Sequence, residues 1–135
     1  MKRTIRILLA AAGLASTGMA FADPCTAPLP AAGKAFSGTV RYVGDGDGLC
    51  VGRSTDPATW IEVRIADFYA PELREPGGKK ASRALAKLAL GCEARCVAGR
   101  RNYDRTVARC SINGGAIGDE LRRLGGSEGG RGWRP

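Results

Sequence analysis

Apolar positions recur along this chain with a period of two, then once with a period near 3.6, then with a period of two again. The first strand is predicted over "FSGTVRYV" (36–43) and the second over "GLCV" (48–51). In a third, "TWIEVRIA" (59–66), Ile61, Val63 and Ile65 alternate against Trp60, Glu62 and Arg64. Within "KKASRALAKLALG" the residues Ala81, Ala84, Leu85, Leu88 and Ala89 fall on one helical stripe, and Gly91 follows as terminator. Two further strands, in "EARCVAG" and "TVARCSI", are joined by the basic turn "RRNYDR". A short helix over "IGDELRRLG" then groups Ile117, Leu121 and Leu124. Three strands, a helix, two strands and a helix is the order of a small closed barrel, mainly β with α.

The flanks differ from this domain, which is expected over residues 36–126. Residues 23–35 are rich in Pro and Ala without a sustained period and are expected to form an N-terminal arm. Residues 127–135, "SEGGRGWRP", are low in apolar content and are expected to be a flexible tail. Residues 1–22 have the layout of a secretory signal: Lys2, Arg3 and Arg6, then "ILLAAAGLA", then small residues up to Ala22. Cleavage near Ala22 predicts a secreted or periplasmic protein with no membrane span in its mature form and a monomeric state. Removing those three basic residues lowers the formal charge from +8 to +5, which still favours polyanions.

The chain has no histidine, which excludes Ser-His and Cys-His nucleophilic catalysis and histidine-bound metal hydrolysis. Hydrolysis here would rest on carboxylates, arginines and oxygen-bound metal. Of the five cysteines, Cys92 and Cys96 do not have the usual zinc spacing, and no second pair follows. Cys96 and Cys110 flank the turn centred near Tyr103, so a hairpin there brings them face to face and predicts a disulfide. Cys25 with Cys50 is a weaker second pairing, leaving Cys92 as the odd thiol.

Candidate chemistry starts from "VGDGDGLCV" (43–51), where Asp45 and Asp47 stand among glycines. Counted from Asp45, the sixth residue is Cys50, so the pattern is not an EF-hand. Asp and Gly are also what tight turns select, and both readings stand on this stretch alone. Arg64, Glu72 and Arg105 add to it: two guanidiniums to clamp a phosphodiester, a carboxylate to handle water, and an acidic loop for a hard cation. The plainer alternative is a surface pair of Arg64 with Glu72, and Arg105 capping a hairpin.

From about Phe36 to Gly125 the chain resembles the staphylococcal nuclease, or thermonuclease, family. The matching stretches, in order, are "DGD", "VRIADFYAPE", "GKKASRAL" and "YDRTVAR". The resemblance implies a five-stranded OB-type β-barrel with packed helices, and calcium-dependent hydrolysis of DNA and/or RNA. It assigns Arg64 and Arg105 to the phosphate, Glu72 to general base and Asp47 to the metal, with Asp45 an acidic neighbour. Tyr103, beside Arg105, joins the substrate-binding set. Tyr69 falls where the family has a second metal-binding aspartate, so Ca2+ or another divalent cation is expected to bind weakly, and Asp67 is a possible substitute ligand. The chain also ends soon after its second helix, where longer relatives carry a third. A secreted metal-dependent nuclease is the first expectation. The alternative is a non-catalytic OB-fold binder of nucleic acid or another phosphate-bearing polyanion.

Overall fold

A computed structural model describes residues 23–135; the expected signal and its cleavage site near Ala22 lie outside them. Strands β1 (Ala35–Val43), β2 (Gly48–Gly52) and β3 (Ile61–Ile65) come first, followed by helix α1 (Gly78–Ala89). Next come β4 (Glu93–Val97), β5 (Arg101–Asn102), β6 (Arg105–Ile112), β7 (Gly115–Ala116) and helix α2 (Ile117–Arg123). The sheet runs β3-β2-β1-β4-β6, and a parallel β3–β6 ladder joins its ends into a closed five-stranded, OB-type barrel. Closure removes the free edges that an open sheet presents. β5 and β7 are two-residue additions to β6, too short to leave a periodic signal in the sequence. The turn before β7 is Asn113-Gly114, both at positive φ, a pair suited to a two-residue hairpin.

The barrel interior follows the alternation. Val40, Leu49, Val51, Val63, Ile65, Ala94, Ala108 and Ile112 are buried there and meet Leu85 and Ala89 of α1 and Ile117 and Leu121 of α2. Ala81, Ala84 and Leu88 pack on the same core, so the helical stripe is the buried face of α1. The third strand starts later than its pattern suggests. Pro57–Thr59 form a 3-10 turn capped by the Asp56 side chain, and Trp60 ends it.

Both disulfides are formed. Cys96 and Cys110 are direct partners in the β4–β6 ladder, with Cα atoms 4.1 Å apart. Cys25 is bonded to Cys50, and Cys92 is the free cysteine. The first of these pairs staples a hairpin; the second staples the arm. Thr26 and Ala27 donate their backbone N–H groups to the carbonyls of Pro57 and Trp60, and Gly33 donates to Ala98, so the arm lies across the outer face of the barrel. Among the described residues no helix is long and apolar enough to cross a membrane.

Candidate functional site

Asp47 organises the first cluster. It lies at the end of the β1–β2 loop, only 4% exposed. Its backbone carbonyl accepts the Ile65 N–H at 2.7 Å, and its Oδ2 accepts the Ala70 N–H at 2.9 Å. The same oxygen meets Arg64 Nη2 at 3.0 Å, so one buried carboxylate ties the loop to the chain leaving β3. The loop can lie this deep because residue 46 is glycine: a Cβ there would stand 2.5 Å from that of Ala81 and 2.7 Å from that of Ala70. Ser82 of α1 donates its hydroxyl to the Gly44 carbonyl at 2.5 Å and holds the other side. The glycines of "GDGDG" therefore serve close packing, while its two aspartates face a charged cluster.

Burial first, and then the charge of Asp45, push the Asp47 carboxyl up to about 7, against the opposing pull of the Ala70 N–H and Arg64. Asp45 lies close enough to both Asp47 and Glu72 for its carboxylate to act on each of them. Glu72 is raised as well, by burial first and then by Asp45, with Arg105 acting in the opposite direction. Glu72 is seated by the entry to α1. Its carbonyl accepts from the Glu75 N–H, and residue 78 must be glycine because a Cβ there would come within 1.9 Å of that carbonyl. Arg105 begins β6, beside β3 through the parallel ladder in which Arg64 is paired with Val107. Asp45, Asp47, Arg64, Glu72 and Arg105 thus come together from four separate segments.

Arg64 is further fixed by a bond from Nη1 to the Ile65 carbonyl at 2.9 Å and by the Tyr69 ring, 4.8 Å from its Cζ. Two of its five N–H donors are engaged by Asp47 and Ile65, and a guanidinium held flat in this way presents the rest in a defined plane. Tyr103 sits at positive φ in the β5–β6 turn, 88% exposed and two residues from Arg105.

Asp67 is not part of the cluster. The chain turns after β3 instead of continuing extended, which sends residue 67 to α2: its carbonyl accepts a hydrogen bond from Arg122, and its side chain packs on Gly118. Its Oδ1 is buried without a partner. No group of three or more His, Cys, Asp or Glu among the described residues is arranged to hold a metal. The remaining donors, Asp45 and Asp47, are two close carboxylates, and the repulsion from Asp45 that helps raise the Asp47 carboxyl is what a hard cation between them would relieve. They fit one held by two carboxylates and completed largely by water, where a tight calcium site draws most of its roughly six to eight oxygens from the protein.

A second group lies beside the first and left a misleading signal in the sequence. Tyr42, Cys50 and Glu62 are successive partners across β1, β2 and β3 and share the outer face. Alternation assigns Glu62 to solvent, yet it is only 7% exposed, because the arm covers this face. The Cys25–Cys50 bond brings Asp23 over it, beside both Tyr42 and Glu62. Burial first, then the neighbouring Asp23 carboxylate and the charge of Asp104, push Glu62 up to about 7, with Arg105 opposing. Burial and Asp23 raise Tyr42 too.

Fold and cluster together define a small OB-type barrel whose loop carboxylates and strand arginines meet at one place. No protein-family model matches the chain, and no curated protein does.

Proposed function

We propose that this protein is an exported metal-dependent nuclease of the thermonuclease type, hydrolysing phosphodiester bonds of DNA or RNA. The observation that carries this reading is the grouping of Glu72, near Asp45 and Arg105, with the buried Asp47–Arg64 pair. Arg64 and Arg105 bind the non-bridging oxygens of the phosphodiester and offset the charge that builds up as water attacks. Glu72 orients that water and takes its proton; the shift of its carboxyl toward neutrality makes it a better base than an ordinary glutamate. Asp45 and Asp47 would hold a divalent cation, which supplies Lewis-acid neutralisation of the phosphate. Export agrees with two disulfides, which persist in oxidising compartments.

The test is incubation of purified protein with single-stranded DNA and RNA, in calcium, magnesium, manganese or chelator. Cleavage that needs a divalent ion and falls by about a hundredfold or more in Glu72→Gln or Arg105→Ala is expected. A second reading, a binder without catalysis, is favoured by Tyr69 in place of a carboxylate. Binding without cleavage under every metal would select it.

A further inference from the structure

The residues after α2 carry no helix or strand, but they are not loose. Tyr69 donates its backbone N–H to Glu128 Oε1 at 2.9 Å, its carbonyl accepts the Gly129 N–H at 3.1 Å, and its hydroxyl donates to the Arg131 carbonyl at 2.7 Å. Glu75 takes the Arg131 N–H at 2.8 Å on one carboxylate oxygen and the Glu72 N–H at 2.9 Å on the other. Gly130 and Gly132 are both at positive φ. A Cβ on Gly130 would stand 2.7 Å from Pro71 Cα, and one on Gly132 3.0 Å from the Tyr69 hydroxyl. The "GRG" spacing is therefore what lets this strap lie flat on the segment that carries Glu72. The strap ends in Trp133, folded back by its N–H to the Gly130 carbonyl at 3.2 Å and 38% exposed, and in exposed Arg134.

We propose that the strap is a docking surface for single-stranded nucleic acid, with Trp133 stacking on an unpaired base and Arg131 and Arg134 holding the adjoining phosphates. This rests on the nuclease reading above, since it extends the path of a strand already bound at Arg64. The two surfaces are contiguous: the Tyr69 ring touches Arg64 on its face and the strap at its hydroxyl. Tyr69 thus has a positioning role that a carboxylate in its place would not fill. An exposed tryptophan between two arginines is the combination that binds single strands without sequence preference, through stacking and charge. Among the described residues the other exposed aromatic of this kind is Tyr103, in the β5–β6 turn, and the second tryptophan, Trp60, is engaged through its indole N–H with the Ser54 carbonyl.

The test uses the full chain with Trp60→Phe, so that Trp133 is the sole indole, and an end-labelled oligothymidylate in chelator to prevent cleavage. Binding is expected to quench Trp133 emission. Trp133→Ala should weaken affinity roughly tenfold, the scale of one stacked base, and Trp133→Phe should restore most of it. Tyr69→Phe, which keeps the ring under Arg64 but removes its hydroxyl bond to the strap, should weaken binding in the same direction. Oligonucleotide bound with unchanged Trp133 emission and unaltered Trp133→Ala affinity overturns the strap proposal and leaves the nuclease reading standing. Tighter binding by Trp133→Ala also overturns it, because the strap would then obstruct the site. No binding by the unaltered protein, with or without calcium, removes the nuclease reading and this proposal with it.

Discussion

Asp47 Oδ2 receives two donors at once, the Arg64 guanidinium at 3.0 Å and the Ala70 N–H at 2.9 Å. Both side chains of the ion pair are largely buried, at 5% and 14% exposure, so neither charge can be left alone without cost. Arg64 therefore holds the loop in place as well as facing the substrate.

Arg64→Ala should lower stability by about 3 kcal/mol, the cost of stranding one member of a buried pair, and should abolish cleavage. Arg64→Lys keeps the charge but loses the planar fork, so it should recover stability more than activity. Urea denaturation beside a cleavage assay reads both, and an unchanged unfolding midpoint in Arg64→Ala would show that the pair is not structural.

Stability should fall as pH rises through neutrality. The Glu62 carboxyl is raised to about 7 in the folded protein, facing Asp23, Tyr42, Asp104 and Arg105. An unfolded glutamate titrates at about 4.3, so the folded state binds the proton more tightly. That contribution is full below about pH 4 and is lost as pH rises through about 7. Melting temperature should be higher at mildly acidic than at mildly alkaline pH, and Glu62→Gln should make the dependence shallower, leaving the part due to Asp47, whose carboxyl is also raised to about 7. Parallel profiles for the two proteins would place the linkage elsewhere.

Each disulfide should contribute about 3 kcal/mol by loop closure, since their separations of 25 and 14 residues differ little on a logarithmic scale. Their functional effects should differ. Cys25→Ser frees Asp23 from the outer face and should return Glu62 toward an ordinary carboxyl, reducing the pH slope. Loss of Cys96–Cys110 loosens the hairpin presenting Arg105. Thermal denaturation of both variants checks this, and thiol labelling of the native chain should mark Cys92 alone.

Calcium affinity should be tightened by Tyr69→Asp, which adds a carboxylate next to the residue whose N–H holds Asp47. Titration calorimetry on the two proteins is the measurement. Equal affinities would mean that Asp45 and Asp47 already supply what the ion takes.

The strands, both helices and the Cys96–Cys110 bond were legible in the chain because each depends on neighbours in sequence. Alternation names the inward positions Ile61, Val63 and Ile65, the 3.6 period names the buried stripe of α1, and a hairpin centred near Tyr103 makes 96 and 110 partners by symmetry. The candidate residues Arg64, Glu72, Arg105, Asp45 and Asp47 were legible as types in ordered motifs. Their meeting was not, since it depends on the parallel closure of β3 against β6, between segments about forty residues apart. Asp67 went astray because a turn after β3 breaks the period-two face on which the expectation relied. Glu62 became buried, and the tail became a strap, through contacts made by the two ends of the described chain, which have no period to read. Local periodicity determined what the elements are and which face each one buries. Only tertiary structure decided which charges share low-dielectric surroundings, because their pKa values and roles come from neighbours that the sequence does not place side by side.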